Sequence, residues 1–153
     1  MNKILVAVDG SPLSKKAAAE ALELAKKFGA KMMLISVAEV EPEITYTELG
    51  VTVPVEYINM RDSLVKIKEE SAGKMLDAII GSMDCTGVSI DKVIKIGIPA
   101  HEIVEYTESE KVDLVVLGHR GLNPLKRLFV GSVAKRVIED AACSVMIVKK
   151  EEA

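Results

Sequence analysis

The stretch Leu114–Val133, LVVLGHRGLNPLKRLFVGSV, decides the fold. An apolar run, Leu114-Val115-Val116-Leu117, empties into Gly118-His119-Arg120-Gly121, and nine residues then separate Gly121 from Gly131-Ser132, where a helix-like segment begins. The order is strand, glycine-punctuated loop, helix. The loop carries His119, Arg120, Lys126 and Arg127 and no acidic residue. Glycine lets a backbone approach a ligand closely, and a helix that begins at a Gly-Ser pair offers backbone N–H groups and a hydroxyl to an anion. The arrangement has the makings of a phosphate cradle. The plainer alternative is that strand-to-helix loops often hold a glycine and that Ser132 is an ordinary N-cap. Three glycines, a serine and a cluster of cations in one loop favour the cradle.

Outward from this stretch, the chain alternates between strand and helix signals. Lys3–Val8 is a short apolar strand that leaves through Asp9-Gly10-Ser11-Pro12. Pro12 and Ser14 suit a helix start, Ala17, Ala18, Ala21, Leu22, Leu24, Ala25 and Phe28 keep a helical period, and Gly29 stops it. Lys31–Val37 is apolar on both faces, as a buried parallel strand should be. A long amphipathic helix is predicted from about Ile58 to Met83, then a strand over Val88–Ile96. The turn Gly97-Ile98-Pro99-Ala100 opens a helix to about Ser109, Val112–Gly118 is the strand of the deciding stretch, and Ser132–Ala141 is the last helix before a strand at Ser144–Val148. Such alternation predicts one α/β domain over residues 1–153, with a parallel sheet and helices on both faces. Residues 38–58, bracketing Pro42 and Pro54, hold no period and read either as a surface excursion or as a lid or subunit contact.

Composition narrows the function classes. A formal charge of -3 over 153 residues argues against a broad nucleic-acid surface, and 3% aromatic content with no Trp argues against base-stacking platforms. The basic loop therefore stands out against an acidic background. The opening apolar run is too short for a signal-peptide core, and no apolar stretch reaches the length of a membrane span. Cys85 and Cys143 form no CxxC pair and read as two packed thiols, so a cytoplasmic location is expected. His101, in the first turn of its helix, reads as solvated or capping, with no second metal donor expected beside it.

Several nucleotide motifs are missing. There is no GxxxxGK[ST], and no GxGxxG follows the first strand. Asp9 resembles the acidic residue of phosphoacceptor receiver domains, but the strand ending at Gly97 carries no aspartate to receive a phosphoryl group, which rejects that reading. The spacing Gly118-x2-Gly121-x9-Gly131-Ser132 instead resembles the ATP-binding signature of the universal stress protein family, with every fixed position filled. The resemblance extends to Val8-Asp9-Gly10-Ser11, to Gly97-Ile98-Pro99-Ala100 and to the closing Ser144-Val145-Met146-Ile147-Val148.

That resemblance implies an open five-stranded parallel sheet of order 3-2-1-4-5, Rossmann-like and similar to the adenine nucleotide alpha hydrolase fold. Ligands in such sheets bind outside the carboxyl ends of the strands, where the strand order reverses. In relatives that bind ATP, the exits of the first and second strands hold adenine and ribose, which by position are Ala7, Asp9 and Val37. The first signature glycine lies near the ribose and the later ones hold phosphates, which carries over to Gly118, Gly121, Gly131, Ser132 and Val133, with Arg120 adding charge. Asp9 also has an ordinary reading as a turn acid. The implied ligand is ATP, with AMP or ADP as alternatives, and Mg or Mn would accompany the phosphates. No set of protein metal ligands and no catalytic constellation stands out, so the expectation is an ATP-binding regulatory protein with at most slow hydrolysis. A slow ATPase and a dimeric interaction module independent of nucleotide are the competing readings. In the implied order Ser144–Val148 is an edge strand, apolar on both faces, and a homodimer paired through 144–148 would cover it, as would a tail or loop of the same chain.

Overall fold

The computed structural model describes residues 1–40, 50, 52–119 and 130–150. Five strands, β1 (Lys3–Ala7), β2 (Lys31–Ala38), β3 (Ile90–Ile96), β4 (Leu114–Gly118) and β5 (Ser144–Val148), form one sheet of order β3-β2-β1-β4-β5. All neighbours are parallel. Between them run α1 (Pro12–Phe28), α2 (Val55–Gly81), α3 (Pro99–Ser109) and α4 (Ser132–Asp140). The open parallel sheet and its predicted order are both found.

Side-chain alternation divides the core into two layers. Ile4, Val6, Met32, Leu34, Leu114 and Val116 point to one face and pack against Ala17, Ala21 and Leu22 of α1 and Leu76 and Ile79 of α2. Leu5, Met33, Ile35, Val115 and Leu117 point to the other, against Ile103 of α3 and Val137 of α4. The central strands are thus apolar at successive positions because both faces are roofed by helices.

Local chemistry fixes the element ends. Ser11 is the N-cap of α1: its hydroxyl accepts the Ser14 N–H at 3.2 Å, and Pro12 occupies the first turn, where a missing N–H costs nothing. Gly29 closes α1 in the left-handed region at φ 63°. The largest departure from expectation is α2. It starts at Val55, not near Ile58, directly after Pro54, and no side chain caps it. Its buried residues, Ala72, Leu76 and Ile79, all lie in its carboxyl-terminal half. Apart from its first helical residues, 55–58, the irregular stretch 38–58 lies largely in segments outside the described residues (41–49 and 51).

Candidate functional site

The site is built by a split in the sheet. β1 and β4 are paired from Ile4↔Leu114 to Val6↔Val116 and no further. Beyond that point each strand keeps to its outer neighbour. Ala7 stays in register with Ile35 and the Val8 N–H donates to the Ile35 carbonyl at 2.9 Å. On the other side Gly118 pairs with Val148, and the His119 N–H donates to the Val148 carbonyl at 2.7 Å. The order reverses between β1 and β4, so a crevice opens there at the carboxyl ends of the strands.

One lip of the crevice is the exit of β1. Asp9 is exposed, and its Oδ1 accepts the Ser11 N–H at 2.9 Å, an Asx-type turn that steers the chain into α1. The Asp9 N–H in turn donates to the Ser14 hydroxyl at 3.3 Å. Asp9 therefore does the ordinary turn work first, and one carboxylate oxygen beyond that bond remains for a ligand.

The other lip is the exit of β4. The Gly131 N–H donates to the His119 carbonyl at 2.9 Å, which ties the start of α4 to the end of β4. Gly131, not Ser132, is the N-cap, and its φ of -57° and ψ of 153° suit any residue. Its lack of a side chain is thus not needed for backbone conformation. No side chain caps α4, and its first turn holds no acidic residue. The amides of Ser132 and Val133 lie at the positive end of the helix dipole, which favours an anion. Backbone donation from Gly131 itself, expected from the sequence, is already committed to His119.

Other expected site residues sit near this line. Ala7, Val37 and Val133 are partly buried and pack on the same apolar layer, the one facing α3 and α4. An apolar wall beside the strand ends is therefore contiguous with the amino-terminus of α4. Arg120 and Gly121, with Lys126 and Arg127, lie outside the described residues.

Sequence reasoning overlooked one group. His101, Glu102 and Glu105, in the first turns of α3, bring one ligand atom each to within 4.8 Å of one another. The expectation that His101 had no second donor nearby is corrected, since Glu105, four positions on, shares its helix surface and Glu102 meets Glu105 three positions on. Gly97, whose φ is 149°, leaves room for the Glu102 side chain: a Cβ there would meet the Glu102 Oε1 at 2.7 Å. Acidic side chains in a first turn are also favoured by the helix dipole with no metal involved. Among the described cysteines, burial pushes the Cys143 thiol up, which favours its protonated form.

Fold and crevice together define a doubly wound α/β protein whose strand order reverses between β1 and β4. The chain matches the model of the universal stress protein family over residues 1–149, and it belongs to that family. Universal stress protein MJ0531 of Methanocaldococcus jannaschii is 36% identical over 148 residues, covering 97% of this chain and 82% of the relative. YxiE of Bacillus subtilis is 34% identical over 149 residues, covering 97% and 99%. Among solved structures, the MJ0577 protein superposes with a TM-score of 0.74 at 29% identity, covering 99% of this chain and 98% of its own. A family member from Arabidopsis thaliana with AMP bound gives 0.64 at 23% identity, covering 99% and 93%. A universal stress protein in complex with cAMP gives 0.61 at 22%, covering 96% and 95%.

Proposed function

We propose that the protein binds an adenine nucleotide in the β1/β4 crevice and acts as a dimeric, nucleotide-dependent regulator. The observation that carries this reading is the split itself, with the uncapped start of α4 hydrogen-bonded to one lip. The base and ribose would lie along Ala7, Asp9 and Val37, with Gly118 near the ribose, and the phosphates against Gly121, Ser132 and Val133, with Gly131 leaving room for their approach and Arg120 adding charge. Relatives of the same fold that hold AMP and cAMP support a nucleotide as the ligand class. ATP is the proposed resident.

The described residues suit a metal that arrives with the phosphates better than one held by the protein. Asp9 is the carboxylate at the crevice, and one of its oxygens already accepts from Ser11. Mg or Mn would neutralise phosphate charge and reach Asp9 through water. The chain would contribute orientation and backbone dipoles.

Two further features support coupling to a dimer. β5 is an edge strand, and its central residues Val145, Met146 and Ile147 are only half buried. A second copy pairing through 144–148 would cover them. The His119 peptide groups bridge the end of β5 to the start of α4, so ordering the crevice also orders the dimer edge.

Calorimetric titration with ATP, ADP and AMP, with and without Mg, tests the proposal. Saturable binding with a triphosphate preference is expected. No heat with any adenine nucleotide, together with no nucleotide in native mass spectra of the purified protein, would overturn it. Steady phosphate release in excess Mg would move the reading to the slow ATPase, and the cytoplasmic location is best checked by fractionation.

A further inference from the structure

We propose that Lys68 and Met75 of α2 are positioning residues for the crevice: they fix the exits of β2 and β1, along which base and ribose lie, without touching the ligand. This rests on the β1/β4 crevice being the nucleotide site. Lys68 and Met75 are seven residues apart, about two turns, so they share the helix face that carries Ala72 and Ile79. The Lys68 Nζ donates to the Glu39 carbonyl at 2.5 Å, two residues beyond Val37. The carbonyl just before it, that of Ala38, accepts the Gly97 N–H at 3.1 Å. Strand pairing of β2 stops at Ala38↔Ile96. The end of β2 is therefore held from two sides, by the exit of β3 and by α2.

Met75 holds the exit of β1 in the same way. Gly10, next to Asp9, is in the left-handed region at φ 83°, and a Cβ there would stand 3.5 Å from the Met75 Cγ and 3.8 Å from its Sδ. The thioether thus lies against the bare backbone of the turn that aims Asp9. That turn is short, since the Asp9 Oδ1 accepts the Ser11 N–H across Gly10, so a shift of Gly10 carries the carboxylate with it. Lengths explain why α2 needs these ties. It has 27 residues, about 40 Å, whereas β2 has 8, about 26 Å. Running from the carboxyl ends of the strands back toward the start of β3, α2 overhangs the sheet at the end where the crevice opens. Lys68 lies one turn before Ala72, the first buried residue of the helix, and so marks where α2 leaves the sheet.

Calorimetric affinities for ATP and AMP test this in the full chain, for the wild type and for Lys68→Met, Lys68→Arg, Met75→Ala and Met75→Leu. Lys68→Met keeps the apolar stem and removes the donor, so both ligands should weaken by one common factor, about fivefold, the net worth of one hydrogen bond. The common factor is the signature. The exits of β1 and β2 serve the base and ribose, which ATP and AMP share, whereas a defect on the phosphate side costs ATP more than AMP. Lys68→Arg restores a donor and should recover the affinity. Met75→Ala should likewise weaken both ligands equally, and Met75→Leu, which refills the space over Gly10, should recover them. Wild-type affinity in Lys68→Met or in Met75→Ala would overturn the role of that residue with the crevice reading intact. So would a loss greater for ATP than for AMP, or no recovery in the conservative variant. No binding of either nucleotide by the wild type would overturn the crevice reading itself, and this inference with it.

Discussion

At the scale of single residues, two substitutions separate the contacts that would carry the proposed binding from those that would merely accompany it. Gly131 has dihedrals that a β-branched residue tolerates, so Gly131→Val should fold normally while its side chain stands where phosphates approach. Loss of measurable ATP binding with an unchanged melting temperature is the expected outcome. Lys126→Ala removes one cation, and exposed ion pairs are worth at most about 1 kcal/mol, so affinity should fall about fivefold or less. Titration of the two variants side by side ranks the terms, and a larger loss for Lys126→Ala would show that charge, not close backbone approach, dominates. The glycines and serine of this stretch can be singled out in the sequence because residue type and spacing are what a sequence shows. The bond from the Gly131 N–H to the His119 carbonyl cannot, because it joins two backbone groups and leaves no mark on residue type. For the same reason the N-cap falls on Gly131, one residue before the serine that looked suited to it.

At the scale of elements, stability rests on caps and anchors that the sequence showed unevenly. Ser11 is buried at the head of α1, and its hydroxyl is the acceptor for the Ser14 N–H. Ser11→Ala should cost about 1 kcal/mol in urea unfolding, the usual worth of an N-cap. The start of β1 is pinned by Asp113, whose Oδ2 accepts the Asn2 N–H at 2.6 Å and the Lys3 N–H at 3.0 Å. These two bonds, Asn2 first, hold the Asp113 carboxyl below the usual carboxylate range. A group with a depressed folded pKa stabilises fully above its unfolded pKa, about 3.9, and loses that contribution as pH falls through the folded value. Asp113→Asn should therefore lower the urea midpoint at neutral pH, and the difference from wild type should vanish at strongly acidic pH. A difference that is independent of pH would mean the carboxylate charge plays no part. The strands were readable because double-faced burial leaves continuous apolar runs such as Met32-Met33-Leu34-Ile35. The start of α2 was not, since Pro54 offers no cap hydrogen bond and half of the helix never meets the core.

At the scale of the whole molecule, the sheet leaves β5 as an edge strand beside the crevice. The carbonyl of Val148 faces β4, where it accepts from His119, so strand alternation turns the N–H of Ile147 toward the open side. Proline at 147 would remove a donor from that side and none from the β4 ladder, the one setting in which strands accept it. If a second copy pairs along 144–148, Ile147→Pro should reduce the native mass measured by light scattering while far-ultraviolet circular dichroism and the β4 pairing persist. Because the His119 N–H donates to the Val148 carbonyl and Gly118 is in register with Val148, the same variant should also weaken ATP binding, though it lies outside the crevice. Mass and affinity falling together would support a coupled dimer and nucleotide site. A fall in mass with ATP affinity intact would leave the dimer standing and remove the coupling, and an unchanged mass would mean that the edge is closed by the chain itself.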